Sequence, residues 1–203
     1  KVNGRGNGTF GDMSMFSFHA TKVFNTIEGG GLTYSDASLN GRLSSYRNFG
    51  ITGPESVDVV GTNAKMNEFQ AAMGICNLRY VDTEIQKRAK IEQRYRMHLE
   101  GVAGIKLCRT QENIEKNYAY FPVVFDGDVF GKNRDEIAEC LKSEKIFARK
   151  YFYPITNEFA CYKGRFEGNT PVAKQIAENV LTLPMYADLA IEDVDRICDI
   201  ILK

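Results

Sequence analysis

The sequence is poor in the residues that cross-link a small protein or bind a metal. Its 203 residues include no tryptophan, only two histidines and five cysteines. No two cysteines form a C-x-x-C pair, and so few, dispersed ligands argue against a zinc site and a disulfide framework. This cysteine usage favours a reducing compartment, so we expect the protein to be cytoplasmic. Cys76 and Cys198 lie among apolar neighbours and are expected to be buried.

An excess of charge of one sign and a long apolar run are also missing. The 26 basic and 26 acidic residues balance to a formal net charge of zero. The sequence therefore offers no electrostatic attraction for nucleic acid or an anionic membrane. No apolar stretch approaches the roughly 18 residues of a membrane span. The 43% hydrophobic and 26% charged residues are ordinary for a globular protein and argue against disorder.

Short apolar runs alternate with glycine near the start of the sequence. Further along the chain, the apolar residues have the spacing of amphipathic helices. The first loop between predicted strands carries Lys22 and Glu28. Apolar residues then recur at three- and four-residue intervals, which indicates amphipathic helices. The predicted elements are strands over 13–18 and 31–34, a helix over 37–46 capped by Asp36, a helix from Met66, and a helix over 83–99.

The second half of the sequence alternates predicted strands and helices, which favours a layered α/β unit. Pro122 falls within one of these strands and predicts an edge position, because proline cannot donate a ladder hydrogen bond. The predicted strands are 105–108, 118–125 and 147–153, and the predicted helices are 132–144, 171–179 and 191–203.

Lys22 is the residue with the clearest chemical potential. It follows Ser17 by five residues and precedes the triple glycine at 29–31. A hydroxyl and unencumbered glycine backbone can hold a phosphate, and an amine in a partly desolvated setting can attack an aldehyde. Spacing alone leaves open a structural alternative, in which Lys22 is a charged side chain at the end of a strand.

Five motifs in order across nearly the whole sequence make the chain resemble a known family. They are residues 11–30 with Ser-Phe-His-Ala-Thr-Lys at 17–22, Arg-Asn-Phe-Gly at 47–50, Gly-Thr-Asn-Ala-Lys-Met-Asn-Glu-Phe-Gln-Ala-Ala at 61–72, Tyr-Pro at 153–154, and Leu-Pro-Met-Tyr at 183–186. Together they resemble the DegT/DnrJ/EryC1/StrS sugar aminotransferases, which are pyridoxal 5'-phosphate (PLP) enzymes. The likeness is to the carboxyl-terminal portion of that family.

The resemblance implies an α/β fold, the carboxyl-terminal part of a fold-type-I PLP-dependent transferase. Residues 1–80 would be the remainder of the large, PLP-binding domain. Residues 81–101 would form a connecting helix, and residues 102–203 a small α/β domain. The sequence begins with Lys-Val-Asn-Gly and has neither an initiator methionine nor a signal peptide at this point, so we expect it to start inside a longer chain.

The resemblance also implies roles for single residues. Lys22 would form the Schiff base with the cofactor and Ser17 would bind its phosphate. Asn63 would reach the cofactor of a neighbouring subunit, so that a homodimer shares its active sites; a structural alternative for Asn63 is the N-cap of the helix at Met66.

Three further residues are candidates for contact with substrate. Arg47 could bind a carboxylate or a phosphate, or form a structural salt bridge. His19 could act directly or only pack beneath the loop. Tyr153 could line the substrate cleft or be an ordinary strand aromatic.

The implied activity is transamination of a nucleotide-linked keto sugar, of the 4-keto-6-deoxyhexose type, with glutamate as amino donor. The implied setting is lipopolysaccharide or similar glycoconjugate synthesis. One alternative is a sugar dehydratase of the same fold, in which histidine replaces the lysine. Another alternative is a catalytically incompetent fragment that serves only folding or dimerisation.

The sequence departs from the family pattern in two places. Ile155 and Thr156 stand where family members often carry histidine. The family's aspartate for the pyridine nitrogen, its stacking aromatic and its first phosphate loop all precede the lysine by many residues, and only 21 residues precede Lys22. We therefore expect this 203-residue piece to form no stable Schiff base and to be inactive by itself.

Overall fold

A computed structural model describes residues 1–162, 164–165 and 168–203. The chain divides into two compact units. The first unit comprises Lys1–Asp82 and Glu112–Lys116, and the second comprises Thr83–Gln111 and Asn117–Lys203. No helix within the described residues is long and apolar enough to cross a membrane.

The first unit begins with a two-stranded antiparallel sheet. Strand β1 (Met13–Ser17) pairs with β2 (Gly30–Tyr34), with Met15 opposite Leu32 and Ser17 opposite Gly30. Both predicted strands are confirmed to within one residue at either end. Asp36 caps the next helical segment as predicted, since its carboxylate accepts from Ser38 N at 2.8 Å. That segment starts as a 3₁₀ turn (Ala37–Leu39) and continues as helix α1 (Asn40–Arg47).

A small hairpin and a helix complete the first unit. Strands β3 (Ile51–Gly53) and β4 (Ser56–Val57) form the hairpin, and helix α2 spans Glu68–Leu78. Asn67 caps α2 through a reciprocal box, in which Gln70 N donates to Asn67 Oδ1 at 2.9 Å. The alternative that placed Asn63 at this cap is therefore wrong. Cys76 is exposed on α2, contrary to prediction, because its face of the helix is uncovered within the first unit.

The second unit is built on a three-stranded antiparallel sheet covered by helices. Its strands are β5 (Ile105–Leu107), β6 (Phe121–Phe125) and β7 (Val180–Leu183), in the order β5-β6-β7. Its helices are α4 (Gly127–Phe130), α5 (Arg134–Ser143), α6 (Pro171–Asn179) and α7 (Ile191–Leu202), together with most of α3 (Val81–Leu99). Short 3₁₀ turns occur at Asn7–Thr9, Thr156–Glu158 and Ala160–Tyr162.

The hydrophobic core of the second unit lies between the sheet and helices α3, α5 and α7. Tyr95 is fully buried, stacks on Phe121 at 4.8 Å between ring centroids, and donates its hydroxyl to Pro184 O at 3.0 Å. Burial raises the pKa of the Tyr95 phenol. Cys198 is buried as predicted, and burial raises the pKa of its thiol to about 12, so this cysteine is inert packing.

Helices α3 and α7 are joined by a compact charge cluster. Arg94 Nη2 donates to Asp195 Oδ2 at 2.7 Å, and His98 Nε2 lies 2.8 Å from Asp195 Oδ1. The Arg94 guanidinium, with help from His98, holds the pKa of Asp195 well below its ordinary value, at about 2. The cluster joins residues about one hundred positions apart along the sequence.

Two predictions for the second unit are wrong. Pro122 lies in β6, which is the central strand and not an edge. The position is tolerated because the ladder between β5 and β6 stops at the pair Leu107–Val123 and does not reach the neighbouring Pro122. Residues 147–153 form no strand; Arg149 makes a single bridge to Thr182, after which the chain turns as Tyr151 N donates to Arg149 O at 3.0 Å.

Candidate active site

Lys22 lies in the loop that joins β1 to β2. Two backbone hydrogen bonds close this loop at its base: Phe18 N donates to Gly29 O at 2.8 Å, and Thr26 N donates to Phe18 O at 2.9 Å. The sheet register therefore continues one step beyond the paired strands. The lysine is held on a short closed loop at a fixed distance from the end of the sheet.

Thr26 anchors the loop from within. Its side chain is 2% exposed, and its hydroxyl donates to Glu28 O at 2.6 Å. Gly29 has a φ of +152°, and a methyl group added there would lie 2.4 Å from Thr26 Oγ1. Gly29 is the first residue of the triple glycine. Its backbone lies so close to the buried Thr26 side chain that only glycine fits there.

Helix α2 packs against the same loop. A methyl group added at Gly74 would lie 2.8 Å from Thr26 Cγ2, so helix backbone and threonine are in close contact. Three residues further along α2, Asn77 Nδ2 donates to Asn25 O at 2.9 Å. Phe18 and Phe24 meet edge to face across the loop, with ring centroids 5.1 Å apart. These contacts restrict the loop on the side opposite to solvent.

The Lys22 amine is available for chemistry. Its backbone is fixed, because Lys22 N donates to His19 O at 2.9 Å and Lys22 O accepts from Asn25 Nδ2 at 3.3 Å. The residue is half-buried. Within the part of the chain that the structure describes, its Nζ has no hydrogen-bond or ion-pair partner. An amine that is partly desolvated and not bound to a carboxylate is suited to attack a carbonyl carbon.

Ser17 and His19 flank the start of the loop. Ser17 is the last residue of β1, is exposed, and pairs across the sheet with Gly30, which adds no side chain beside it. Thr21 N donates to His19 Nδ1 at 3.3 Å, and His19 Nε2 lies 3.4 Å from Glu28 Oε1. The two ring nitrogens thus face Thr21 and Glu28. His19 therefore links the two arms of the loop.

Arg47 and Asn63 come together in a second part of the first unit. Ala64 N donates to Arg47 O at 2.9 Å, and Asn48 and Asn63 form an isolated bridge. Asn63 Oδ1 accepts from Lys65 Nζ at 2.7 Å. The Arg47 guanidinium forms no salt bridge within the described residues. The alternative role for Arg47, a structural salt bridge, therefore finds no support. A guanidinium without a carboxylate partner is suited to an anionic ligand.

Two glycines enforce this arrangement of residues 46–64. Gly50 has a φ of +79°, and a methyl group added there would lie 1.7 Å from Val59 O. A methyl group added at Gly61 would lie 2.2 Å from Gly50 N. The backbone around Gly50 and the backbone of residues 59–61 are therefore too close for any side chain to lie between them. This contact fixes the backbone positions of Arg47 and Asn63.

Tyr153 lies in the second unit and is 49% exposed. The Arg134 guanidinium lies over its ring, 4.4 Å from the centroid, a cation–π contact that orients the phenol. Tyr151 stacks on Phe152 at 4.7 Å between centroids. Tyr153 therefore belongs to an aromatic surface and not to a strand.

The sequence reasoning overlooked the residues that support Lys22. Thr26, Gly74 and Asn77 hold the loop, and none carries reactive chemistry. One signal was present, since a glycine inside an amphipathic helical pattern marks a close backbone approach. Gly74 is such a glycine. Its partner, 48 positions earlier in the sequence, has no comparable signal.

Comparison with known proteins gives concordant results. The family model described as the DegT/DnrJ/EryC1/StrS aminotransferase family matches residues 1–202. A dTDP-4-amino-4,6-dideoxy-D-glucose transaminase from Shigella dysenteriae is 36% identical over 188 residues, which are 92% of this chain and 51% of the relative. The transaminase of the same name from Escherichia coli is 36% identical over 207 residues, 99% of this chain and 56% of the relative.

The solved structures agree. DesI, crystallised in the presence of its TDP-sugar product, superposes with a TM-score of 0.91 at 35% identity, covering 100% of this chain and 52% of that one. The chain spans about half the length of the curated relatives it matches, which is consistent with a carboxyl-terminal portion. This likeness confirms the predicted α/β fold of a PLP-dependent transferase. With a family match over residues 1–202, the chain belongs to the DegT/DnrJ/EryC1/StrS aminotransferase family.

Proposed function

We propose that this chain supplies the lysine-bearing part of an enzyme that aminates a nucleotide-linked keto sugar. The observation that carries the proposal is the Lys22 amine, half-buried on a braced loop and without a protein partner among the described residues. Family membership supports it, because the family consists of PLP-dependent aminotransferases. In this proposal the first unit corresponds to the end of the cofactor-binding domain and the second to the small domain.

The residues present fit two ends of PLP. The unpartnered Lys22 amine suits its aldehyde, and the exposed Ser17 hydroxyl at a strand end, beside Gly30, suits its phosphate. PLP supplies an electron sink when bound. Lys22 Nζ would hold the cofactor at its aldehyde end and, when free, would accept the proton that leaves the donor's α-carbon. Ser17 Oγ would donate to a phosphate oxygen, and the contacts of Thr26 and α2 would hold the loop that carries Lys22 in place.

Other residues contribute to binding in this proposal. Arg47 faces an anionic group of donor or nucleotide sugar, and His19 and Tyr153 contact substrate. Asn63 reaches the cofactor phosphate of a second subunit, so that the complete enzyme is a homodimer with shared active sites. The unpaired Arg47 guanidinium and its position beside Asn63 support this assignment.

The proposed acceptor is a 4-keto-6-deoxyhexose on a nucleoside diphosphate, with glutamate as amino donor. Support comes from the two relatives named dTDP-4-amino-4,6-dideoxy-D-glucose transaminase, each 36% identical to this chain. The proposed setting is synthesis of lipopolysaccharide or a similar glycoconjugate in the cytoplasm. All five cysteines, each among the described residues, are free, in keeping with a reducing compartment.

The test replaces Lys22 in the complete enzyme. Lys22→Ala should abolish amino-sugar formation, while Lys90→Ala, an exposed lysine on α3, should leave it unchanged. Borohydride treatment with PLP should attach the cofactor covalently to the peptide that contains Lys22, as mass spectrometry would show. Amino-sugar formation that persists in Lys22→Ala would overturn the proposal. A product that has lost water without gaining nitrogen would instead identify a dehydratase.

A further inference from the structure

Arg134 is a buried cation at an unfavourable position. It is the first residue of helix α5, and it is the one buried arginine among the described residues, at 4% exposure. A guanidinium is costly to bury, because it carries five donors that need partners. The start of a helix also has a partial positive charge, which disfavours a cation there. The contacts that Arg134 makes must therefore compensate for its position.

One end of the guanidinium joins α5 to the end of helix α6. Arg134 Nη1 donates to Ala177 O in the last turn of α6, and to Val180 O, at the start of β7, at 3.5 Å. The carbonyl oxygens at the end of a helix carry a partial negative charge, which favours a cation. The side chain of Arg134 thus stabilises the end of α6, although its backbone belongs to the start of α5.

The other end of the guanidinium bonds to its neighbour in the sequence. Arg134 Nε donates to Asp135 Oδ1 at 2.8 Å, and Lys150 Nζ lies 2.6 Å from the same oxygen. Hydrogen bonding from Lys150, and after it from Arg134, lowers the pKa of the Asp135 carboxyl. Asp135 therefore joins Arg134 to residues 149–153, which we call the 149–153 turn.

The flat side of the guanidinium faces Tyr153, the last residue of this turn. Arg134 Cζ lies 4.4 Å from the centroid of the Tyr153 ring. The guanidinium donates in its own plane, to Asp135 and to Ala177, so its face is left for the ring. Tyr153 is 49% exposed, so the ring is covered on the Arg134 side and accessible elsewhere.

The other tyrosine of the turn is held by different contacts. Arg149 exchanges two backbone hydrogen bonds with Thr182 of β7, at 3.0 and 2.7 Å. The Arg149 guanidinium donates to the Tyr151 hydroxyl, and the Tyr151 ring meets Tyr120 edge to face at 5.9 Å between centroids. Tyr151 is therefore held through β7 and does not depend on Arg134.

We propose that Arg134 is a positioning residue for Tyr153. Asp135 and the end of α6 fix its guanidinium, and the face of the guanidinium then fixes the Tyr153 ring at the end of the 149–153 turn. The inference rests on the proposed function, in which Tyr153 contacts the nucleotide-linked sugar. It adds a buried residue that touches no substrate and acts through the tyrosine that does.

The test exchanges Arg134 for lysine in the complete enzyme. Arg134→Lys keeps the positive charge but removes the flat face and the fork that donates to Asp135 and Ala177 together. The KM for the nucleotide-linked keto sugar should rise about fivefold, in the range of one lost cation–π contact. The kcat and the KM for the amino donor should stay within about twofold, because the loop that carries Lys22 is unchanged.

A double substitution separates positioning from a purely structural role. Tyr153→Leu removes the ring at a half-exposed position. In that background Arg134→Lys should raise the KM for the keto sugar no further, since a positioning residue acts through the residue that it positions. Asp135→Asn changes a side chain that is 60% exposed and weakens the hold on Arg134. It should raise the same KM to a smaller extent, and it serves as the test if Arg134→Lys does not fold.

The matched control is Arg196→Lys on α7. Arg196 Nη2 donates to Glu144 O at 3.0 Å, and its side chain is 51% exposed. The same exchange of arginine for lysine at this position should leave the KM for the keto sugar unchanged.

A spectroscopic readout reports the position of the ring without any reaction. A 3-fluorotyrosine incorporated at position 153 gives a ¹⁹F resonance whose shift depends on the cation above the ring. Arg134→Lys should move this resonance toward that of free 3-fluorotyrosine. The same label at position 151 should not move, because β7 and Arg149 hold Tyr151.

Three results would overturn the inference. They are KM increases that add in the double variant, a resonance at position 153 that stays in place in folded Arg134→Lys, and a resonance that moves while the KM for the keto sugar does not. An unsubstituted enzyme that transfers no amino group would instead count against the proposed function. In that case the expected movement of the resonance would still show that Arg134 positions Tyr153.

Discussion

One methyl group added at Gly74 should disturb the loop that carries Lys22. The methyl of Gly74→Ala would lie 2.8 Å from Thr26 Cγ2, closer than packed carbon atoms allow. Two effects oppose each other. Alanine stabilises a helix interior by about 1 kcal/mol relative to glycine, whereas overpacking costs about 1–3 kcal/mol. Thr26 is 2% exposed and its hydroxyl is bonded, so it cannot retreat. We expect a net loss of about 1 kcal/mol.

A second substitution isolates the contact responsible. Thr26→Ser removes Cγ2 but keeps the hydroxyl that donates to Glu28 O. Alone it should cost about 1 kcal/mol, the value of one buried methyl group. In the double variant the alanine methyl occupies the vacated space, so stability should return to within about 0.5 kcal/mol of the starting protein. The coupling between the two positions is then about 2 kcal/mol.

The assay is hydrogen exchange at the Thr26 amide, which donates to Phe18 O. Measured in the assembled enzyme, Gly74→Ala should speed exchange about fivefold, and the double variant should restore the slow rate. Gly41→Ala is the matched control, because glycine 41 lies in α1 with nothing within 4 Å of an added methyl. The reasoning would be refuted if the stability change of the double variant equalled the sum of the two single changes to within about 0.3 kcal/mol.

Two further predictions concern charge and backbone. Asp195 has a pKa lowered to about 2 by Arg94 and His98, so its contribution to stability is full above the ordinary carboxyl pKa and is lost as the pH falls toward 2. Asp195→Asn should remove this acid-sensitive step from a circular dichroism titration, whereas Asp188→Asn, at a more exposed pair with Lys87, should leave it in place. Gly50→Ala should destabilise the first unit by more than about 2 kcal/mol, because it combines a left-handed backbone with a backbone clash. Its unfolding midpoint in urea should fall, and a midpoint equal to that of the unsubstituted protein would contradict the close approach to Val59.

The elements best predicted from sequence are those with local signals. Pro171 begins α6 as expected, because proline suits the first turn of a helix. Strand β1 was found from its apolar run and helix α7 from its period. The loop with Ser17 and Lys22 also follows from sequence, since both residues and the triple glycine lie within fifteen positions.

What could not be predicted depends on distant partners. Whether the strand of Pro122 is central or at an edge is decided by β5 and β7, which pair with β6 on either side and come from distant parts of the sequence. Residues 147–153 have a strand-like composition, yet only Arg149 among them pairs with the sheet, through a single bridge to Thr182 of β7. Cys76 lies on the apolar face of α2, but an apolar helix face is buried only where another element packs against it. The support of Lys22 by Gly74 and Asn77 is likewise a contact between separate elements.

The position of the buried core within the chain has a consequence for biosynthesis. Domains usually fold in the order in which they leave the ribosome. In the second unit, β7 and α7, which close the core, are translated after every other element of that unit. The core of the second unit therefore cannot close until its last strand and its last helix have left the ribosome.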